Sequence, residues 1–478
     1  MASPERLLIV LRELVVVAAV GLVGGCTPSG TPSTTSEVTL RRETPTTTIP
    51  VAGPTTTKVV EQFPGGRSLW RVDPATLEKV KGSALGPTGS SLFSAAATEG
   101  EAALVGINNA GTRWVLWLLD AQSNSLIEIE AGGPRSPVPF AFSIEGSTIH
   151  WVTHKEWPGG DPNIPDGVAL HRYDRSTGEV STILELPISE GVYFDQFAYL
   201  SDRHRLALFG RSIGDGYPHV TVLNLDRGQV ALDVALDTVP PVINVFDRSD
   251  DRVEPGWDRD RGLLYVPHLD TDFVTTVDLD SGSITTWSIV RKTSFLDRLI
   301  AAWQPTAQAK GASSEMTAAI SSDGALLYLT GKELEWSDTV EGSYREKPLG
   351  IVAIDIETMT EVAHTELPIS RLVISPTGET VLATGSWDDL IAGEFGNSSG
   401  LHLLDAKTLE PLLWIEPTDV PEYYELVYSA DGRYAYGTEW FYGPSTIIVD
   451  TATLEVSQGP TLEAFNAELL QLGYVLDF

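Results

Sequence analysis

One motif recurs eight times between residues 69 and 459 and constrains the fold more than any other feature. A short alternating strand ends in an aspartate, a tight turn follows, and a second strand leaves it. It reads LWRVDPATLEKV (69–80), LWLLDAQSNSLIEI (116–129), LHRYDRSTGEVSTI (170–183) and VLNLDRGQVALDV (222–234). It continues as VTTVDLDSGSITTW (274–287), IVAIDIETMTEVAH (351–364), LHLLDAKTLEPLLW (401–414) and TIIVDTATLEVSQG (446–459). The anchors are Asp73, Asp120, Asp174, Asp226, Asp278, Asp355, Asp405 and Asp450, mostly spaced 45 to 54 residues apart. A carboxylate at this position accepts backbone N–H groups two residues on and so fixes the turn, which makes the series a structural repeat rather than a set of metal ligands.

A second hairpin lies between successive copies, its turn built from Ser, Asp and Gly, as in TAAISSDGALLYLT (317–330), LVISPTGETVLATG (372–385) and LVYSADGRYAYGT (426–438). Four short strands per period of about fifty residues, with little helical periodicity, predict an all-β chain folded as a β-propeller. Such blades leave apolar faces that only neighbouring blades cover, so the array must close on itself. Seven inner and eight outer hairpins predict seven or eight four-stranded blades. Eight result if ELLQLGYVLDF (468–478) supplies a strand to the first hairpin. The phrases SPTGETVLATG, SADGRYAYG and IIVDTATLEV resemble bacterial YVTN-type, lactonase-like (WD40-like) propellers over roughly residues 63–460. That resemblance implies architecture and leaves activity open, because one scaffold carries many functions.

Of the 478 residues, 65 are Asp or Glu and 32 are Lys or Arg, for a net charge of -33. A nucleic-acid partner is excluded, since phosphate neutralisation needs clustered Lys and Arg. The single Cys, Cys26, excludes a disulfide scaffold, Cys-rich zinc sites and iron–sulfur clusters. It directly follows Leu22-Val23-Gly24-Gly25, at the end of an apolar run shorter than the roughly 20 residues that span a bilayer. Residues 1–26 therefore read as a signal peptide whose end resembles a lipobox, in which the Cys becomes the acylated (palmitate-bearing) first residue of a bacterial lipoprotein. Residues 27–62 are rich in Thr, Pro and Ser and cannot bury enough surface to fold, so they read as a disordered stalk. Residues 63–478 form the propeller domain and carry the negative charge.

Loop length is uneven. With strands lettered A to D from the centre outward, the long connections are all B–C or D–A: 155–167, 237–252, 291–315, 332–348 and 387–400. These leave on one face, and long loops on a rigid scaffold commonly carry function. The stretch 291–315 has helical spacing at Phe295, Leu296, Leu299 and Ile300. The others are aromatic and acidic, which nominates Trp157, Asp161, Trp336, Asp338, Trp387, Asp388 and Asp389 as a partner-binding face.

No G-x-S-x-G, H-E-x-x-H or P-loop motif is present. Asp258–Gly262 and Asp278–Gly282 fit turns better than calcium loops, and His150 and His154 lack a third ligand. The expectation is thus a non-catalytic binding module without a cofactor, outside the cytoplasm. It is held to the cell-envelope membrane through acylated Cys26, and its partner is an envelope protein, a basic segment or a glycan. A lactonase-like or other envelope hydrolase is the alternative. Each buried methylene of an acyl chain contributes about 0.8 kcal/mol to anchoring. Cys26→Ser should therefore move the protein from the membrane to the soluble fraction, as read by fractionation and immunoblotting.

Overall fold

A computed structural model describes residues 58–59, 68–85, 91–98, 100–107, 114–132, 139–154, 167–187, 192–212, 216–239, 252–268, 272–291, 312–337, 343–417, 423–439, 446–460, 470–472 and 474–477. The chain divides between Glu37 and Val38 into two units, and every described residue belongs to the second. Cys26 and the apolar run before it lie outside the described residues.

The turns explain why the chain folds back so regularly. At Asp73, Asp120, Asp174, Asp278, Asp405 and Asp450, one carboxylate oxygen accepts the backbone N–H groups two and three residues on, at 2.8–3.3 Å. Asp355 accepts from Thr358 at 2.9 Å. The fourth copy departs from expectation. Its strand ends at Asn224, whose side-chain oxygen accepts the Arg227 N–H at 2.9 Å, while Asp226 faces His204. The anchor there is Asn224, two residues earlier than the aspartate pattern indicates. Four residues after each anchor the backbone turns left-handed, at Leu77, Asn124, Gly178, Gly228, Gly282, Met359, Leu409 and Leu454, with φ between 49° and 73°. Within the inner hairpins, the Ser321, Ser375 and Ser429 hydroxyls accept N–H groups four or five residues ahead. Asp258 likewise closes a turn, accepting the Arg261 N–H at 2.9 Å.

Five sheets of four or five strands stand alone. They are built on Ser91–Thr98, Glu101–Ile107, Trp114–Asp120 and Ser125–Gly132; on Pro139–Glu145, Thr148–His154, Gly167–Asp174 and Glu179–Pro187; and on Val192–Leu200, Arg205–Ser212, Pro218–Asn224 and Gln229–Ala235. Gly256–Asp258, Leu263–Pro267, Phe273–Asp278 and Ile284–Ser288 form the fourth, and Tyr423–Tyr428, Tyr434–Glu439, Thr446–Asp450 and Val456–Gln458 the fifth. Each is an antiparallel meander, the A-to-D order of a propeller blade. The expected seven or eight separate blades are corrected to these five. The reason is main-chain pairing between neighbours. The meander Ala312–Ile320, Leu326–Trp336, Ile351–Asp355, Thr360–Thr365 joins the meander Arg371–Ile374, Thr380–Asp389, Glu394–Asp405, Pro411–Ile415 through Tyr344–Pro348, giving one ten-stranded sheet. Arg252–Glu254 lies parallel on the inner edge of that sheet. Lys58–Val59 adds a fifth strand to the outer edge of the first, pairing with Glu128 and Ile127. The helix expected in 291–315 lies outside the described residues from 292 to 311, and Ala312–Glu315 are strand.

The remaining pair joins two segments that lie far apart in the sequence. Ser68–Arg71 runs antiparallel to Tyr474–Asp477. One apolar cluster packs Leu69 and Tyr474 against Ala102, Leu104 and Trp117 of the first sheet. Another packs Leu77 and Val475 against Tyr436 and Ile448 of the last. The other clusters fill the seams between consecutive meanders in chain order. The closing pair also repeats the polar contact used elsewhere. Tyr328 donates its hydroxyl to the carbonyl of Ala406, just after a turn aspartate, at 2.7 Å, and Tyr436 donates to Pro74, in the same place, at 2.8 Å. On the far side, Tyr474 donates to the Asn124 side chain at 3.0 Å.

A left-handed backbone costs a branched residue about 1–3 kcal/mol. Leu409 holds it while its side chain is buried among Tyr328, Ile351 and Ala353 of the preceding meander, whereas Leu454 is 37% exposed. Leu409→Gly should therefore destabilise the protein by about 2 kcal/mol or more, because the lost burial exceeds the relieved strain. Leu454→Gly should be neutral to slightly stabilising, within about 1 kcal/mol. Denaturant melts of the two variants check the difference.

Candidate functional site

Strand direction alternates within each meander, so B–C and D–A connections leave at the same end. Two of the B–C connections read as loops from sequence instead contain paired strands. Leu326–Trp336 pairs with Ile351–Asp355 as far as Leu329, then continues past its meander and pairs Lys332–Trp336 with Tyr344–Pro348. Thr380–Asp389 continues likewise, pairing Ser386–Asp389 with residues 394–398 around a turn at 390–393. Gly331 and Gly385 permit both departures. A Cβ at Gly331 would strike the inner-strand carbonyl of Glu315, and one at Gly385 the carbonyl of Pro368, in the bend before the inner strand Arg371–Ile374.

Charged groups join the two hairpins. Arg345 donates through Nε to Asp389 Oδ2 at 2.6 Å, and the backbones of these residues pair. Leu390 N–H donates to the Tyr344 carbonyl at 2.8 Å. Beneath them, Lys332 Nζ lies 3.3 Å from Glu346 Oε2, each side chain only 12% exposed. The same Glu346 oxygen accepts the backbone N–H of Asp388 at 3.1 Å. A buried pair of this kind contributes through geometry, because removing either partner strands the other charge. The Asp389 carboxyl is held below the usual carboxylate range, first by the Ala392 N–H that its other oxygen accepts at 2.9 Å and then by Arg345.

The nominated residues fall as follows. Trp157, Asp161 and Asp338 lie outside the described residues. Trp336 ends its strand with its backbone opposite Tyr344. Trp387 is half-buried with its backbone opposite Asn397. Asp388 Oδ1 accepts the Gly396 N–H at 2.7 Å, which closes its own hairpin, and Asp389 joins the two hairpins. The structure thus brings Trp387, Asp388 and Asp389 onto one hairpin and sets the Trp336 strand in the other.

Sequence reasoning missed the residues that present a surface. Phe395 is 72% exposed, just past the turn that carries the exposed Ile391, with exposed Glu394 between them. Glu335, 61% exposed on the neighbouring hairpin, lies 3.9 Å from Arg345. Alternation in YREKP (344–348) was a usable strand signal, but the charges within it read as loop. Also at this end, His154 is stacked between Phe140 and Tyr193, at centroid distances of 4.3 and 5.1 Å, across the seam of the second and third sheets. Burial pushes its imidazole down to about 4, so it is neutral at physiological pH. His150, four residues earlier, is buried within the same strand. Among the described residues, no three His, Cys, Asp or Glu side chains come together to hold a metal, and no helix is long and apolar enough to cross a membrane.

No protein-family model and no curated protein matches the chain. Solved structures are similar in fold. A hydrazine synthase of Kuenenia stuttgartiensis is 19% identical with a TM-score of 0.35, the match covering 55% of this chain and 64% of that one, just under two thirds of its length. A Bacteroides uniformis protein described as a candidate 6-phosphogluconolactonase is 12% identical with a TM-score of 0.40, covering 72% of this chain and 90% of its own. The β-propeller domain of Cps50 (Swd1) from Myceliophteria thermophila is 11% identical with a TM-score of 0.38, covering 69% and 88%. Strand order within the sheets carries the propeller assignment.

The Asp389 contact titrates in a defined direction. Its folded-state carboxyl is depressed, so the stability it confers is present above the unfolded value near 4 and is lost as pH falls through the folded one. Asp389→Asn at neutral pH should speed amide exchange at Leu390 and Ala392 about tenfold, with little change in global melting, as for local opening. Acidification of the wild type should reproduce this before the sheets unfold, as read by hydrogen–deuterium exchange.

Proposed function

We propose that this chain is a membrane-tethered, extracytoplasmic lipoprotein of the bacterial envelope that binds a polypeptide partner and catalyses no reaction. Acylated Cys26 supplies the anchor, residues 27–57 the spacer, and the joined hairpins the binding surface. The observation that carries this reading is the hairpin tip. Phe395 and Ile391 expose apolar surface beside Glu394, on a support fixed by Arg345, Asp389, Lys332 and Glu346. An exposed aromatic on a rigid, charge-rimmed hairpin has the make-up of an interface anchor. The net charge of -33 selects a basic partner and repels anionic headgroups, so a spacer that holds the body off the membrane suits it.

The test is site-directed photocrosslinking from position 391 in intact envelopes, followed by affinity measurement with the captured partner. Phe395→Ser should weaken binding at least tenfold with unchanged melting, consistent with loss of a central aromatic. Affinity should fall with added salt, because exposed charges are screened within about 8 Å at physiological ionic strength. Asp405→Asn, in a C–D turn at the opposite end, should lower stability by about 1 kcal/mol and leave capture intact. Loss of capture in the turn variant with retention in Phe395→Ser would reject this face.

A further inference from the structure

The outer strands of the sheets differ in how they guard their free edges. Exposed strand edges offer unpaired N–H and C=O groups, and proteins usually blunt them with charged side chains or cover them. Glu179–Pro187 carries Glu179 and Glu185, Gln229–Ala235 carries Asp233, and Thr360–Thr365 is partly covered by Val290, which bridges to Thr360 and accepts the Glu361 N–H. Ser125–Gly132 is covered by Lys58–Val59 of the same chain. Pro411–Ile415 has neither protection, and nor does the three-residue Val456–Gln458. The longer strand's sequence PLLWI is uncharged, and among the described residues it pairs only with Glu394–Asp405. Ile284–Ser288 is also uncharged, but just past it Val290 bridges to Thr360 of the next meander.

The exposed side of Pro411–Ile415 is already ordered. Leu413 and Ile415 pack into the seam toward the last sheet, while Leu412 and Trp414 remain 42% and 55% exposed. Trp414 does not swing freely. Its indole N–H donates to the Ser399 carbonyl at 2.9 Å, and its ring stacks on His402 at 6.4 Å. Ile127 and Glu128, where the chain's own strand pairs, lie opposite the residues two and three before Asp120; the same places before Asp405 lie opposite Leu413 and Trp414, a bulge at Leu412 having shifted the register by one. Exposed Glu410 and Glu416 flank the strand at its two ends.

The geometry points to Pro411–Ile415 as a β-augmentation site for an extended partner segment whose β-branched or apolar residues are bracketed by Lys or Arg. Main-chain pairing supplies affinity, and alternate side chains resting on Leu412 and Trp414 supply selectivity. The flanking glutamates select the basic ends. A second copy of this chain fits poorly, because antiparallel pairing of two such strands sets Glu410 against Glu416 in both directions, within an assembly of doubled negative charge. This surface lies on the outer rim, and its occupancy does not depend on the hairpin face.

The test uses the full-length chain in detergent micelles and the synthetic peptide Lys-Lys-Val-Thr-Val-Thr-Lys-Lys. Two control peptides are the same sequence N-methylated at both valines and one with Glu in place of Lys. Hydrogen–deuterium exchange should show slowed exchange confined to residues 412–416 with the first peptide and none with the N-methylated one. The Glu-flanked peptide should bind at least tenfold more weakly at low salt. In the double variant Glu410→Lys, Glu416→Lys, with melting checked to be unchanged, that preference should reverse. Equal protection by the N-methylated peptide, protection at 385–400 in place of 412–416, or a dimer that protects 412–415 without peptide would each overturn the proposal.

Discussion

Every meander in this protein has two apolar faces, and burial of each against its neighbour is the interaction on which the rest depends. A single four-stranded sheet with Leu, Val and Trp on both sides has no stable place in water, whereas a cyclic stack leaves only rims exposed. The closing pair makes the stack cyclic. Leu69 and Tyr474 fill one seam and Leu77 and Val475 the other, so neither the first nor the last sheet presents an open face. The tyrosine hydroxyl bonds at Ala406 and Pro74 place each turn against the preceding meander and satisfy carbonyls that the seams would otherwise strand.

Much of this was legible from local chemistry. The turn aspartates act on their own next residues, so their role needs no knowledge of the rest of the fold. The exception is instructive, because Asn224 serves as well as Asp, and a search for aspartate alone settles on Asp226. The alternation of the strands likewise announced sheets. What did not show was pairing between neighbours. Arg345 and Asp389 are 44 residues apart, and nothing local marks them as partners. That one contact, with the strand that carries Arg345, turns two expected blades into a single sheet. The candidate residues divide along the same line. Trp387, Asp388 and Asp389 were nominated by composition, whereas Phe395 became visible only through its exposure.

The hairpins show how an acidic surface is given shape. Carboxylates crowded on one face repel each other unless some are held by donors, and here Asp388, Asp389 and Glu346 each accept from backbone or cation at fixed positions. Those groups build the support and leave Glu335 and Glu394 facing outward. Division of labour among like residues is invisible to a count of charges. It also explains why apolar groups can stand exposed at the tip, since the backbone beneath them is already paired.

The closing pair joins Ser68 to Asp477, with all the meanders lying between them in the sequence. A polypeptide leaving the ribosome therefore carries an unsealed first sheet until Tyr474–Asp477 has been made. Contacts of such separation are slow to form, because the loop they close is long. During that interval Ala102, Leu104 and Trp117 have no cover from Leu69 and Tyr474. Until then the first sheet keeps an apolar face in water, the kind of surface on which partly folded chains associate.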